Sequence, residues 1–209
     1  MMLNHAQHTM SRAALSLNLL VFLVTAFFLN PDPIQAIGNP DGTLPGFADF
    51  SRSVQNGDAN ALRGVYVQDV LALPIVQQPE GQPYYVSNHQ GEATQFAMAS
   101  RYGNIGLLAH NTLAGKFFSQ LFVGKDVHLV YGDGRVEEFV VTNVLRFQAS
   151  EPESVSSSFR NLDRSETLSA GEMFSRAYGG ERHLVFQTCI EANGDTSWGR
   201  LFIIALPKR

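Results

Sequence analysis

Short runs of alternating apolar and polar residues, separated by glycine, proline and asparagine, fill the chain from residue 65 onward. Alternation with a period of two is typical of half-buried β-strands, because successive side chains point to opposite faces of a sheet. Runs of this length are too short for most helices. About eight such runs, with a few brief helical segments between them, predict a mainly β domain that closes into an antiparallel or mixed barrel.

The first half of this domain contains four predicted strands. Three of them are the segments VYVQDVL, LPIVQ and PYYVS. A helical turn is predicted within residues 94–100, and a buried strand, IGLLA, is predicted to end at His110. Asn111 is expected to cap a following helix, since apolar residues recur there at four-residue spacing.

The second half contains the clearest hairpin, in which a Gly-Asp-Gly connection at residues 132–134 joins the segments DVHLVY and RVEEFVVTNVLRF. The polar stretch of residues 148–165 has the composition of a long surface loop. Ser169 precedes Glu172 by three residues, the spacing of a capping box, and predicts the start of a helix. Gly179 and Gly180 are expected to end it. The last two strands are predicted at residues 183–190 and 200–206, with the turn-rich segment EANGDTSWG between them.

The N-terminal end contains an apolar segment without charged residues, at residues 13–30. Its length lies between a long signal-peptide core and a short transmembrane helix. Ile34, bulkier than the residue preferred three positions before a cleavage site, favours an uncleaved anchor over a cleaved signal. Arg12 places residues 1–12 in the cytoplasm by the positive-inside tendency. We therefore expect a single-pass membrane protein whose remaining chain lies outside the cytoplasm, or alternatively a secreted protein.

The predicted domain order follows from these segments. A Pro- and Gly-rich linker is expected at residues 31–64, and the folded domain at residues 65–209. Charged residues make up 16% of the chain and hydrophobic residues 44%, which excludes wholesale disorder. A net charge of −4 lacks the clustered basic charge of nucleic-acid-binding proteins.

A single cysteine, Cys189, is present in the chain, so no intramolecular disulfide can form. Cys189 lies near the predicted end of a strand, where a thiol can face a cleft and act as a nucleophile. Free cysteine is also often a small buried core residue. The residue by itself leaves both interpretations open.

Two further residues lie at positions suited to chemistry. His110 ends an apolar strand, which suits a positioned acid or base. Arg200 opens the last strand, where a guanidinium can stabilise a developing oxyanion. His128 is a competing histidine that spacing does not exclude. His183 is excluded, because six residues of strand would place it about 20 Å from Cys189.

These residues resemble the motifs of the sortase family. LLAHN resembles the strand that ends in the catalytic histidine, QTCI the Thr-Cys motif, and RLFIIA the strand that begins with the catalytic arginine. FFSQLFVGKDVHLVY resembles the family's short helix followed by a turn and a strand. The resemblance spans residues 65–206 and implies a sortase-like barrel of about eight strands. Ala109 stands where many members have glycine, and residues 148–180 are longer than the corresponding connection in a minimal sortase.

The resemblance implies a cysteine transpeptidase at the cell surface. Cys189 would be the nucleophile, His110 the general acid and base, Arg200 the oxyanion-stabilising residue, and Thr188 a residue lining the substrate site. The implied substrates are secreted proteins with a C-terminal sorting signal, and the implied acceptor is an amine of the cell wall or of another protein. No cofactor is implied. Some sortases use calcium, but the acidic residues here lack the spacing of a calcium loop.

Two other functions remain open at this point. The same residues would serve an extracytoplasmic cysteine peptidase that uses water as acceptor. A membrane-tethered β-barrel that binds ligands without turnover would retain the fold alone.

Overall fold

The computed structural model describes residues 43–154 and 156–209. Three α-helices lie in these ranges, α1 (Phe47–Val54), α2 (Ala97–Arg101) and α3 (Ala170–Tyr178), together with a 3-10 helix (Ala114–Gln120). The strands are β1 (Leu62–Val67), β2 (Leu71–Gln77), β3 (Ala93–Gln95), β4 (Ile105–Leu108), β5 (Asp126–Tyr131), β6 (Val136–Ala149), β7 (Phe159–Asn161), β8 (Thr167–Leu168), β9 (Leu184–Ala192) and β10 (Asp195–Pro207).

Eight of these strands close into a barrel. The order around it is β6, β10, β9, β4, β3, β2, β1 and β5, and β5 pairs back onto β6. The pairs β2–β3 and β4–β9 are parallel, and the other pairs of the ring are antiparallel. Strands β7 and β8 extend the sheet beyond β6. The predicted mainly β fold, a closed barrel of about eight strands with few helices, is confirmed.

Apolar side chains fill both the inside of the barrel and one outer face. Inside, Phe118 of the 3-10 helix packs edge-on against Phe186, with ring centroids 5.0 Å apart. On the outer face, helices α2 and α3 cover strands β6, β9 and β10 through a second cluster that includes Tyr178 and Phe202. Burying both faces explains why several barrel strands are almost continuously apolar.

The two longest hairpins differ in how well the sequence predicts them. The β5–β6 hairpin is confirmed, with Gly134 in the left-handed region at φ 89°. Between β9 and β10 the prediction of a loop at residues 191–199 is wrong, because both strands continue to a two-residue turn. Asn193 and Gly194 form that turn with φ of 55° and 81°. Positive φ at both central residues is typical of a type I′ turn, whose twist matches that of paired strands.

The capping box predicted for α3 is confirmed. The Ser169 hydroxyl accepts from the backbone N–H of Glu172, and the Glu172 carboxylate accepts from the backbone N–H of Ser169 at 2.8 Å. The helix ends before Gly179, as expected. These reciprocal bonds satisfy two backbone donors that a helix start leaves unpaired.

Other local expectations differ from the structure. The segment PYYVS is not a strand, and the third strand of the chain is β3 instead. The helix expected after Asn111 is a 3-10 helix. The expected surface loop of residues 148–165 contains β7, which pairs with β6 because Phe159 joins the outer apolar cluster.

The predicted linker contains α1 in its described part. This helix places Phe50 and Val54 on one face, four residues apart, against Tyr66 and Val130 of the barrel. The predicted membrane segment at residues 13–30 lies outside the described residues. Within residues 43–154 and 156–209, no helix is long and apolar enough to cross a membrane.

Candidate active site

The central feature of the site is strand β9, which carries Cys189 between two neighbouring strands. On one side β10 pairs Arg200 directly with Cys189. On the other side β4 runs parallel to β9 with Leu108 opposite Gln187, and the backbone N–H of Ala109 donates to the Gln187 carbonyl at 3.3 Å. Two residues further along both strands, the same register places His110 beside Cys189. Because paired strands lie about 4.8 Å apart, the three residues form one row.

This row lies on the outer face of the barrel. Val185, four residues before Cys189, packs in the outer apolar cluster, and Phe202, two residues after Arg200, packs there as well. Side chains an even number of residues apart along a strand share a face. Cys189 and Arg200 therefore project from the same side of the sheet.

Backbone bonds fix the segment that follows β4. The carbonyl of His110 accepts from the backbone N–H of Leu113 and of Gly115, each at 2.9 Å. The Asn111 side-chain amide donates to the carbonyl of Thr196 on β10 at 2.9 Å. The His110 side chain itself is exposed. An exposed imidazole on an anchored backbone can exchange protons with solvent and with a bound substrate.

Thr188 connects the cysteine strand to the histidine segment. Its side chain is buried, and its hydroxyl donates to the carbonyl of Ala109 at 2.8 Å. This bond joins the residue before Cys189 to the residue before His110. Thr188 also lines the cavity beside Cys189.

Gly115 lies where these two segments meet. A Cβ atom at this position would lie 2.3 Å from Thr188 Oγ1 and 2.7 Å from the carbonyl oxygens of Ala109 and His110. Only a residue without a side chain fits such a close approach.

We expect Gly115→Ala to destabilise the fold by roughly 1–3 kcal/mol, as overpacking does in tightly packed regions. Urea unfolding measures this loss. Gly171→Ala is the matched control, since nothing lies within 4 Å of its added Cβ and α3 would gain a better helix former. An unfolding midpoint for Gly115→Ala equal to the wild-type value would contradict this prediction.

Backbone carbonyls hold the guanidinium of Arg200. Nη1 donates to the carbonyls of Ser197 at 2.7 Å and Gly199 at 2.9 Å, and Nη2 donates to that of Pro152 at 3.0 Å. A guanidinium has five N–H donors, so these three bonds leave two without a partner among the described residues. The side chain is therefore fixed in place and still has donors for a substrate oxygen.

The Cys189 thiol is half-buried, and several charges act on it. Burial raises the pKa of the Cys189 thiol above its ordinary value, the Arg200 charge lowers it, and the carboxylates of Glu153 and Asp195 raise it. The net pKa is raised, so the thiol is protonated at neutral pH. Attack by sulfur then requires a proton acceptor.

Removing the Glu153 charge is expected to make Cys189 more reactive. Glu153→Gln lowers the thiol pKa, which increases the thiolate fraction at pH 8 and speeds alkylation by iodoacetamide about two- to threefold. Arg200→Gln is expected to slow it, because the charge that lowers the pKa is lost. Since the chain has one cysteine, mass spectrometry reports the rate at this site alone.

The control is Glu151→Gln, which removes the same charge from the same segment and is not among the groups that act on the thiol. The differences should vanish once the pH exceeds the thiol pKa in every variant. Equal or slower alkylation of Glu153→Gln at pH 8 would show that its charge does not reach the thiol.

A cavity of about 260 Å³ opens beside Cys189. Its lining includes Asn111, Gly115, Lys116 and Glu191. A second cavity of about 520 Å³ shares Ser119, Ile190 and Leu201 with the first and continues over Leu121, Phe122, Val144 and Ile203 to the ion pair of Arg146 and Asp163. Together they form a partly apolar groove that reaches Cys189, and its residues Ile190, Leu201 and Ile203 lie on the opposite face of β9 and β10 from the Cys189 side chain.

The two other histidines considered from the sequence lie elsewhere. His128 is on β5, which β6 and β10 separate from β9, and its ring packs 4.8 Å from that of Phe47. His183 is buried before β9, with its ring nitrogens 2.7 and 2.8 Å from the carbonyl oxygens of Glu181 and Ala177. Neither shares the row that contains Cys189.

Glu153 and Gln187 are residues of this region that the sequence interpretation missed. Gln187 lies two residues before Cys189, so the strand period alone places it on the same face. Glu153 is 36 residues from Cys189 in a polar stretch, and no local pattern marks it. Within the described ranges, no group of three or more histidine, cysteine or acidic residues is arranged to hold a metal ion.

Comparison with known proteins finds similarity among solved structures. No family model and no curated protein matches the chain. Sortase C-1 from Actinomyces oris matches with a TM-score of 0.48 and 10% identity, over 79% of this chain and 82% of that one. Sortase E1 from Streptomyces coelicolor, with a tripeptide in its active site, has a TM-score of 0.47 and 16% identity, over 72% and 90%. Listeria monocytogenes sortase A has a TM-score of 0.45 and 14% identity, over 73% and 89%. These solved structures are all sortases, the family that the sequence motifs resemble.

Proposed function

We propose that this chain is a sortase-like cysteine transpeptidase. The observation that carries the proposal is the strand register that sets Cys189 between His110 and Arg200. A thiol nucleophile, a proton carrier and a fixed oxyanion donor are the groups that acyl transfer requires. The sequence motifs around these three residues, which resemble those of sortases, support the same assignment.

The first half-reaction forms a thioester. Cys189 Sγ attacks a backbone carbonyl of the substrate, and the thiol proton ends on the imidazole of His110. The two remaining N–H donors of Arg200 stabilise the negative oxygen of the tetrahedral intermediate. This oxygen accepts hydrogen bonds more strongly than the oxygen of the neutral carbonyl does. His110 then gives its proton to the departing amine, and the C–N bond breaks.

The second half-reaction resolves the thioester. An incoming primary amine attacks the acyl carbon while His110 accepts its proton, and the C–S bond breaks as that proton passes from His110 to the sulfur, which returns the thiol. The exposed position of His110 also allows water to reach the site, which favours hydrolysis as a second candidate reaction.

The proposed biological role follows from the sequence resemblance. The substrates are secreted proteins with a C-terminal sorting signal, and the acceptor is an amine of the cell wall or of another protein. The chain is anchored by residues 13–30 with its catalytic domain outside the cytoplasm. No cofactor takes part in either half-reaction.

A peptide-library experiment tests the proposal. Pooled synthetic peptides are incubated with the protein, with and without triglycine, and intact-mass spectrometry follows acylation of Cys189. Amide products with triglycine identify transfer, and free acids identify hydrolysis. Absence of both acylation and cleaved products in every pool would refute the proposal.

A further inference from the structure

The buried hydroxyl of Tyr178 is directed at the strand that carries Cys189. Tyr178 is the last residue of α3, and its hydroxyl donates to Gln187 Oε1 at 2.6 Å. Burial raises the pKa of the Tyr178 phenol, so the hydroxyl keeps its proton and acts as the donor. An amide whose oxygen is held in this way presents its NH₂ group in a fixed direction.

Several contacts fix Tyr178 itself. The buried side chain of Asn104 donates from Nδ2 to the Tyr178 carbonyl at 2.7 Å and accepts from the backbone N–H of His183 at 2.7 Å. The tyrosine ring packs 5.4 Å from Phe96 and 5.1 Å from Phe174. The position of the hydroxyl is therefore set by the tertiary structure around α3.

The NH₂ group of Gln187 is available to a ligand. Gln187 is half-buried, and within the described residues its Nε2 atom makes no hydrogen bond. In these ranges, the buried side-chain polar atoms without a hydrogen-bond partner are Arg63 Nε and His128 Nδ1. Gln187 Nε2 also lacks a partner but is not one of these buried atoms, so it is accessible to solvent. The Gln187 amide therefore differs from an ordinary surface amide, because a buried tyrosine holds its oxygen while its NH₂ group has no partner among the described residues.

Gln187 also lies at a useful spacing from the thiol. It precedes Cys189 by two residues on the same face of β9, which corresponds to about 7 Å along the strand. An extended peptide repeats its carbonyl direction at the same interval. A peptide whose scissile carbonyl meets Cys189 can thus place another main-chain carbonyl at Gln187.

We propose that Gln187 is a substrate-binding residue that donates from Nε2 to a main-chain carbonyl of the acyl-donor peptide, and that Tyr178 is its positioning residue. The inference rests on the proposed acyl-transfer function. It gives residues 148–180, which contain α3, a part in substrate binding. Because the contact is to the main chain, it fixes the register of the peptide whatever side chain it carries at that position.

The test is a double-mutant cycle on the best peptide from the library. Gln187→Leu and Tyr178→Phe are each expected to lower kcat/KM about five- to tenfold, as the loss of a hydrogen bond of about 1 kcal/mol predicts, mainly through a higher KM. The double variant is expected to lose no more than Gln187→Leu alone, since both act through one contact. Tyr84→Phe is the control, because Tyr84 is 82% exposed.

A backbone-modified peptide series identifies the contact itself. Each main-chain carbonyl except the scissile one is replaced in turn by a methylene group. At one position this change should lower kcat/KM of the wild-type enzyme about five- to tenfold and leave kcat/KM of Gln187→Leu unchanged. Iodoacetamide rates should stay at wild-type values in both single variants, and cooperative urea unfolding should show that each variant is folded, with a lower midpoint for Tyr178→Phe because it loses a buried hydrogen bond. Gln187→Met replaces Gln187→Leu if that variant fails to fold.

Each remaining outcome decides against the proposal. Wild-type kcat/KM in either single variant, or losses that multiply in the double variant, would overturn the Gln187 contact while leaving acyl transfer intact. A peptide series in which no carbonyl is coupled to Gln187 would do the same. If the wild-type protein is acylated by no peptide, the proposed function fails and this inference fails with it.

Discussion

Cys189→Ala is expected to abolish both thioester formation and peptide cleavage. Alanine has no nucleophilic atom, and Cys189 is the single cysteine of the chain, so no other thiol can replace it. The fold should survive, because the thiol is half-buried and the substitution removes one atom. Intact-mass spectrometry after incubation with the best library peptide measures the acyl-enzyme, and chromatography measures the products.

Cys189→Ser serves as a second variant of nearly equal size. A serine hydroxyl at this position is a far weaker nucleophile than a thiol, so its activity should also fall below detection in the same assay. Unfolding midpoints close to the wild-type value in both variants would show that the loss is chemical. Cleavage at the wild-type rate by Cys189→Ala would assign the reaction to another nucleophile.

His110→Ala and Arg200→Ala are each expected to lower the acylation rate about a hundredfold or more, the usual cost of losing a general acid or an oxyanion donor. The two losses have different physical causes. Without His110 the thiol loses its proton acceptor and the departing amine receives no proton. Without Arg200 the tetrahedral oxygen loses its charged hydrogen-bond donors. Stopped-flow acylation with the best library peptide measures both.

A substrate with an activated ester in place of the scissile amide separates the two roles. Its leaving group needs no proton, so His110→Ala should lose less rate on the ester than on the amide, and the loss that remains is the cost of a thiol without its proton acceptor. Arg200→Ala should remain impaired, because the same oxyanion still forms. Arg160→Ala is the matched control for arginine, since Arg160 is exposed and bonds only the side chain of Gln148 among the described residues. Equal losses on amide and ester in His110→Ala would contradict a general-acid role.

The Arg200 side chain shows why a strand position alone does not describe a site. Its place opposite Cys189 follows from the β9–β10 hairpin, which the Asn193-Gly194 pair encodes locally. The bond to Pro152 joins residues 48 positions apart and exists because β7 folds the intervening segment back onto β6. Two of the three carbonyls that hold the guanidinium come from its own strand, and the third depends on the tertiary structure.

The motif around His110 shows the same division. The sequence predicts the apolar strand before His110 and the end of that strand near residue 109. It does not predict the placement of His110 beside Cys189, since β4 and β9 are parallel neighbours 79 residues apart in the register. Parallel pairing leaves no turn residue between the partners, so no short pattern marks it. Only the resemblance to sortases brought the three residues together before the structure did.

By itself the sequence determined the class of fold, the β5–β6 hairpin and the capped start of α3, because alternation, turn residues and caps act within a few residues of each other. The tertiary structure decided which strands are neighbours, and thus that Cys189, His110 and Arg200 form one row. It also brought Glu153 near the thiol and directed Tyr178 at Gln187. These contacts join segments far apart in the chain, and they arise when closing the barrel and covering its outer face bury apolar surface that no single segment can bury alone.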